Sequence, residues 1–477
     1  MIPARVFLRR FLAHDPHRRA LCDPKGVWHT YGDLRRRGEH TARWLAQLGV
    51  QRGDIVAIHL ENGLDLVDAH LGCMAIGAVR LPLNAHYREA ELAPILDDAA
   101  PALVLTTSPG RFPAASHTAD LSKLTTSELM HPGEEPARGV WPEDEVTALM
   151  YTSGTTGRPK GVPQTWAMWE TNLDALAALW GLSSPASPEP DCLWLALPLF
   201  HTHGLVLGLH GTLLRGARAM LQARFEPVVP PPEVTHIYGV PTWYRRWLPL
   251  MHTDPAPFRR LKLLVSGSDG LDAATSDGVF AATGHRILER YGMTETMMIC
   301  SNPGVGERRA GTVGPPVAGV AVRLVDGEIE VSGPSVFAGY RGAAPRASEW
   351  FATGDAGEWD YAGYLRIVGR KKELVIVGGV NVSPAEVEAI FVGVPGTAEI
   401  GACGVADADL GEVVALAVVL AAGEDEGAVR GAIAGRAQAL SGLKRPRRVL
   451  FLPALPRNAL GKLQRGALRA LIESLPP

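Results

Sequence analysis

Short apolar runs alternate with amphipathic stretches through the first part of the chain, and that alternation defines its elements. Residues 28 to 34, Trp-His-Thr-Tyr-Gly-Asp-Leu, lead into a helical pattern that continues through Leu48. Gly53-Asp54 precedes the strand-like Ile55-Val56-Ala57-Ile58, and a helix over 64 to 77 is followed by a short strand from Ala78 to Leu83. A helix over 88 to 98 and a strand over 102 to 106 close the run. Strands alternating with helices of roughly ten to fifteen residues predict a parallel sheet with helices on both faces. Residues 107 to 145 are polar, bear prolines and show no period, so they read as a surface connection.

Val146 to Met150 then reads as a buried strand, and residues 164 to 180 as a helix. Ser183 to Pro190 is a loop by composition. The apolar run 192 to 199 is a strand that delivers Phe200-His201-Thr202-His203-Gly204. Pro227 to Pro232 forms a turn. Strands over 234 to 240, 261 to 265 and 286 to 289 lead into Gly239-Val240-Pro241-Thr242, Ser266-Gly267-Ser268 and Tyr291-Gly292-Met293-Thr294-Glu295-Thr296. Polar loops just past strand ends share one sheet edge, where α/β folds place ligands. After 311 short strands rich in glycine and valine suggest a β-rich subdomain to about 368, and 371 to 477 has patterns enough for a small separate domain.

The length changes this picture little: 477 residues exceed what one core usually holds, so two or more domains are expected. A net charge of -3 gives no reason to expect nucleic-acid or membrane-surface binding. Cys22, Cys73, Cys192, Cys300 and Cys403 lie far apart, with no CxxC pair or zinc spacing, which points to a reducing, cytoplasmic setting. Met1 to Arg19 mixes Phe7, Leu8, Phe11 and Leu12 with arginines. Its apolar run is too short for a signal peptide or a membrane span, so an amphipathic first helix packed on the domain is expected.

Candidate chemistry centres on Tyr151-Thr152-Ser153-Gly154-Thr155-Thr156-Gly157-Arg158-Pro159-Lys160-Gly161. Glycines let backbone approach a polyanion, hydroxyls donate to phosphate oxygens, and Lys160 adds a positive charge. It is not a Walker A loop, since neither Gly154 nor Gly157 is followed at the required distance by Gly-Lys-Ser/Thr. A plain Gly/Ser/Thr turn is the competing reading.

Together with Tyr291 to Thr296, Thr353-Gly354-Asp355, Gly369-Arg370-Lys371-Lys372-Glu373 and Pro456-Arg457-Asn458-Ala459-Leu460-Gly461-Lys462, this stretch resembles the adenylate-forming superfamily of acyl-CoA synthetases, adenylation domains and luciferases. The likeness runs from Thr30-Tyr31-Gly32-Asp33-Leu34 to Lys462, with the motifs in the family's order. It implies an α/β fold: a large N-terminal domain of mixed sheets with flanking helices and a β-rich subdomain (1 to 370), and a small mobile α+β C-terminal domain (371 to 477). It also implies ATP, Mg²⁺ and CoA, with a small carboxylic acid as partner and a carrier protein as a possible acceptor. Thr152, Ser153, Gly154, Thr155, Thr156, Gly157 and Lys160 would hold the phosphates that leave. Tyr291, with Gly292 and Met293, would face adenine, Thr294 the α-phosphate, and Glu295 the metal. Asp355 and Arg370 would take the ribose. Lys462 would bridge the attacking carboxylate and the α-phosphate, Lys372 would mark the hinge, and Gly378-Gly379 would approach the pantetheine tunnel.

Gly284 to Thr296, Ser301-Asn302-Pro303, Gly306 to Gly314 and Pro198 to Gly204 look like the malonyl-CoA synthetase subfamily. In that subfamily two arginines hold the distal carboxylate; Arg290 and Arg246 match them, and His201 is expected at the pocket mouth. Guanidinium forks grip carboxylates and disfavour a greasy tail. Malonate or methylmalonate is the expected acid. The sequence departs from the family at Trp166, Asp269-Gly270, Glu373, Val377 and a short Gly339–Phe351 segment. Blander readings stay open: Glu295 and Asp355 as helix-start carboxylates, Lys462 as a surface lysine, Arg290 paired with Glu289, and Arg245 and Arg246 as surface charges. So do a ligase for another small or aromatic acid, a carrier-loading enzyme, a non-catalytic nucleotide-binding homologue and, more distantly, a luciferase-type oxidation.

Overall fold

The computed structural model describes residues 6–112, 117–120, 144–152, 159–438, 440, 442–457 and 463–475. The chain divides into two compact units, one built from 1–271, 275–321 and 331–351, the other from 272–274, 322–330 and 352–477.

The first unit holds two sheets. One has six strands in the order Thr118–Ala119, Leu103–Thr106, Ile55–His59, Val79–Pro82, Val146–Thr152, Lys160–Thr165. Its pairs are parallel except for the last, an antiparallel hairpin. Leu103, Val104 and Leu105 are all buried, as strands covered on both faces require. The second sheet has eight strands, in the order Met297–Ser301, Leu288–Met293, Leu263–Ser266, His236–Gly239, Cys192–Leu195, Arg218–Leu221, Arg19–Cys22, Trp28–Thr30. It is parallel inside and antiparallel at both ends.

Helices fall where the pattern puts them: Tyr31–Gln47, Leu64–Ile76, Glu89–Ala99 and Trp166–Trp180. The Thr30-Tyr31-Gly32-Asp33 stretch is a helix start. Thr30 accepts from the Asp33 amide, Asp33 accepts in return from the Thr30 amide at 2.8 Å, and the Tyr31 hydroxyl donates to the Ala217 carbonyl at 2.8 Å. The expected first helix runs Val6–Ala13, with Phe11 buried against Tyr31. No described helix is long and apolar enough to cross a membrane.

Three expectations change. The stretch 164 to 180 is not all helix, because Lys160–Thr165 forms an edge strand first. Pro163 and Gly161 disguise it, and an edge position tolerates the missing amide of a proline. The strand expected over 286 to 289 runs Leu288–Met293, so Tyr291, Gly292 and Met293 lie in it rather than in a loop. Its antiparallel partner Met297–Ser301 draws them in and leaves a tight turn around Thr294 and Glu295. The strand expected over 192 to 199 stops at Leu195, and a π-helix, His203–His210, follows.

Ala321–Val325, Glu328–Ser332, Phe351–Trp359 and Leu365–Arg370, most of whose residues belong to the second unit, form a four-stranded sheet. A five-stranded sheet follows in the order Val380–Val382, Val375–Val377, Gly411–Leu420, Thr397–Asp407, with Arg448–Phe451 also on Gly411–Leu420. Val414, Leu416 and Val418 face helices Pro384–Phe391 and Glu426–Ala437, while Val413, Ala415 and Ala417 face Arg465–Ser474. This period of two sandwiches one sheet between two apolar cores.

Candidate active site

The hairpin carrying the Gly/Ser/Thr loop sets Thr152 opposite Lys160 at its base. Ser153, Gly154, Thr155, Thr156 and Gly157 lie outside the described residues. The Tyr151 hydroxyl donates to Asp98, and burial, with Asp98 adding to it, pushes its pKa up. Lys160 Nζ sits over the Tyr340 ring, 4.9 Å from its centre.

Glu295 stands at the turn between strands Leu288–Met293 and Met297–Ser301, not at a helix start, and is 4% exposed. Tyr340 donates its hydroxyl to Glu295 Oε1 at 3.0 Å. The Thr294 carbonyl accepts from Gln164 Nε2 at 2.7 Å, and Gln164 Oε1 accepts from Trp169 Nε1 at 3.0 Å. Gln164 thus ties the hairpin sheet to the turn of the other sheet. The turn is tight. A Cβ on Gly292 would meet the Met297 carbonyl at 2.1 Å, and Met297 holds a left-handed φ of 57° that non-glycine residues rarely adopt.

Arg290 leads into the same turn. It is 5% exposed, and among the described residues its Nε and Nη2 have no hydrogen-bond partner. Burial pulls its pKa down to about 10. Glu289 does not pair with it: adjacent strand residues face opposite ways, and Glu289 accepts from the Gly311 amide at 2.8 Å. Near the guanidinium, His203 is buried, its Nδ1 lies 3.4 Å from Ser268 Oγ and its Nε2 has no partner. Burial first, and the Arg290 charge second, hold the pKa of His203 well below the usual imidazole range. His201 Nε2 is likewise enclosed and unpartnered, and burial lowers its pKa to about 4. Unpaired buried donors beside an uncompensated cation make a seat for an anion.

Arg246 is exposed on helix Pro241–Thr253 with its guanidinium 5.1 Å from the centre of the Phe225 ring, and no described contact brings it to Arg290. Trp166 is buried against Trp169 and under Arg80, and Asp269 and Gly270 are exposed.

In the second unit, Asp355 sits within strand Phe351–Trp359, opposite Arg370, with Arg370 Nε 2.8 Å from Asp355 Oδ1. The Asp355 amide donates to Thr353 Oγ1 at 3.1 Å. Lys372 is exposed in the turn Lys371–Glu373. Gly378 and Gly379, at φ of 57° and 82°, form the two-residue turn of a hairpin. Lys462 lies outside the described residues, between Arg457 and Leu463, which bridge to one another.

Sequence reasoning passed over Tyr340 and Gln164. Tyr340 follows a glycine in a segment notable only for its shortness, and a lone glutamine in an edge strand carries no pattern.

Residues 8–341 match the AMP-binding enzyme family, and 386–462 match the AMP-binding enzyme C-terminal domain. The chain is 32% identical to an oxalate–CoA ligase of Arabidopsis thaliana, over 94% of this chain and 95% of that protein. It is 31% identical to a malonate–CoA ligase of the same plant, over 92% and 81%, and 32% identical to a feruloyl-CoA synthase of an Amycolatopsis species, over 95% and 97%. ATP-bound MatB from Rhodopseudomonas palustris shares the fold with a TM-score of 0.88 at 34% identity, covering 99% of both chains. The chain belongs to the AMP-binding enzyme family. It is an AMP-forming acid–CoA ligase, whose substrates are a carboxylic acid, ATP and CoA.

Proposed function

We propose that the acid is a small dicarboxylate, malonate or methylmalonate, joined to CoA through an acyl-adenylate. The observation that carries this is the unpaired, buried guanidinium of Arg290 with buried His203 near it, and His201 near His203 in turn. An uncompensated buried cation costs several kcal/mol, a cost that a substrate carboxylate would offset. Neutral imidazoles can donate to that carboxylate without adding charge. Arg246, exposed over Phe225, would be the second guanidinium for the distal carboxylate.

In this reading both reactants of the first step are anions, so the site must cancel repulsion while aligning them. Thr152, Lys160 and the loop between them hold the phosphates that leave, and Thr294 donates to the α-phosphate. Tyr291, Gly292 and Met293 line the adenine side, and Asp355 with Arg370 takes the ribose. Glu295 would hold Mg²⁺, whose charge would be shared with phosphate oxygens. Lys462 bridges the attacking carboxylate and the α-phosphate. Reorientation of a domain starting near 371, hinged at Lys372, withdraws it and brings Gly378-Gly379 to the pantetheine. The five free, buried cysteines support a cytoplasmic setting.

Purified protein with ATP, Mg²⁺, CoA and a panel of acids should release pyrophosphate fastest with malonate or methylmalonate. Fastest turnover of ferulate would instead favour an aromatic acid, a reading supported by Tyr238, whose ring stacks parallel to His203 at 6.4 Å. A phosphopantetheinylated carrier offered in place of CoA separates a ligase from a carrier-loading enzyme.

A further inference from the structure

Tyr340 lies in the segment 337–341, which is fastened to the first unit at several points that owe nothing to a nucleotide. The Phe337 amide donates to the Glu295 carbonyl at 2.8 Å, and the Arg341 amide to the Gly161 carbonyl at 2.9 Å. Arg341 Nε and Nη2 reach the carbonyls of Asp98 and Ala99, both at 3.1 Å, the orphan acceptors that end helix Glu89–Ala99. Phe337, 1% exposed, packs edge-on against Tyr340 at 4.9 Å and Phe351 at 5.2 Å. The segment therefore presents the Tyr340 ring from a fixed backbone. Its hydroxyl meets Glu295 Oε1 at 3.0 Å while its face carries Lys160 Nζ at 4.9 Å.

We propose that Tyr340 is a positioning residue that holds Lys160 and Glu295 in one frame for the triphosphate of ATP. The proposal rests on the reading above in which those two residues act on the nucleotide. A direct ion pair would cancel both charges before ATP arrived. A phenol is neutral, so it fixes the carboxylate by a hydrogen bond and the ammonium by its ring quadrupole, and both charges stay available to phosphate and metal. Strand Lys160–Thr165 and the turn at Glu295 belong to different sheets; Gln164 joins their backbones, and Tyr340 sets the two charged side chains relative to one another.

Tyr340→Phe keeps the ring and removes the hydroxyl, whereas Tyr340→Leu removes both holds. The measurements are ATP affinity by titration calorimetry with Mg²⁺ present, isotopic ATP–pyrophosphate exchange, and thioester formation from supplied malonyl-adenylate and CoA. Tyr340→Phe should weaken ATP binding and exchange on the order of tenfold, the weight of one hydrogen bond to a charged group. Tyr340→Leu should weaken both further, and thioester formation should stay within about twofold of wild type, since no triphosphate is present. In a Glu295→Gln background the effect of Tyr340→Phe should shrink, because the partner has changed. Wild-type ATP affinity and exchange in Tyr340→Phe, beside a crippled Glu295→Gln, overturns the proposal alone. Equal loss in both half-reactions also overturns it, as the mark of a purely structural residue. Wild-type exchange in Glu295→Gln overturns the underlying reading of Glu295 and the proposal with it.

Discussion

The guanidinium of Arg290 lies across Gly267, its Cζ only 2.3 Å from where a Cβ on residue 267 would stand. The glycine is the floor of the proposed anion seat. Gly267→Ala should displace the guanidinium, a flexible side-chain end, without disturbing the strand below it. The expected result is a KM for malonate raised about tenfold or more, the scale of losing one charged hydrogen-bonded contact. Turnover of a monocarboxylate such as propionate should be little changed. Steady-state kinetics with the two acids checks this.

Gln164→Leu leaves the Thr294 carbonyl and the Trp169 indole N–H without the partners they have now. Loss of this buried bridge should cost about 1–3 kcal/mol of stability and slow adenylation on the order of tenfold. Denaturant unfolding and pyrophosphate exchange read the two effects separately.

His236 is buried beside Asp191, and burial outweighs that carboxylate, so its pKa falls to about 4. The folded state therefore binds fewer protons than the unfolded chain between about pH 4 and the ordinary imidazole pKa of about 6.5. Its contribution to stability is present in full above that window and is lost as pH falls through it. His236→Asn should make the melting temperature less sensitive to pH between about 6.5 and 4 than in wild type. Parallel melting curves would refute the assignment.

Lys462→Ala should abolish acyl-adenylate formation from malonate and ATP while leaving thioester formation from supplied malonyl-adenylate intact. A comparable loss in both half-reactions would argue against its proposed role as the bridging lysine.

Much of this arrangement was legible in the sequence, and what was missed has physical causes. Helices Tyr31–Gln47, Leu64–Ile76 and Glu89–Ala99, and the strands between them, follow from apolar periodicity because each buries a continuous face. The proline and glycine of Lys160–Thr165 hide that edge strand, and Tyr291 to Met293 read as a loop because their pairing with Met297–Ser301 is set by contacts that apolar periodicity does not report. Motifs pointed to Glu295, Arg290 and Asp355 as chemistry, but not to what holds them. Tyr340 and Gln164 act through contacts with residues distant in sequence, which no spacing rule reports. Only the motif pairs Arg246 with Arg290; in the structure Arg246 is exposed and its guanidinium lies over Phe225.

The most direct test of the central claim compares kcat/KM for malonate and propionate in wild type and in Arg290→Met. Wild type should prefer malonate by on the order of a hundredfold, and Arg290→Met should erase that preference, because one buried charge–carboxylate contact supplies it. A wild-type enzyme that favours propionate, or an Arg290→Met enzyme that still favours malonate as strongly, would contradict it.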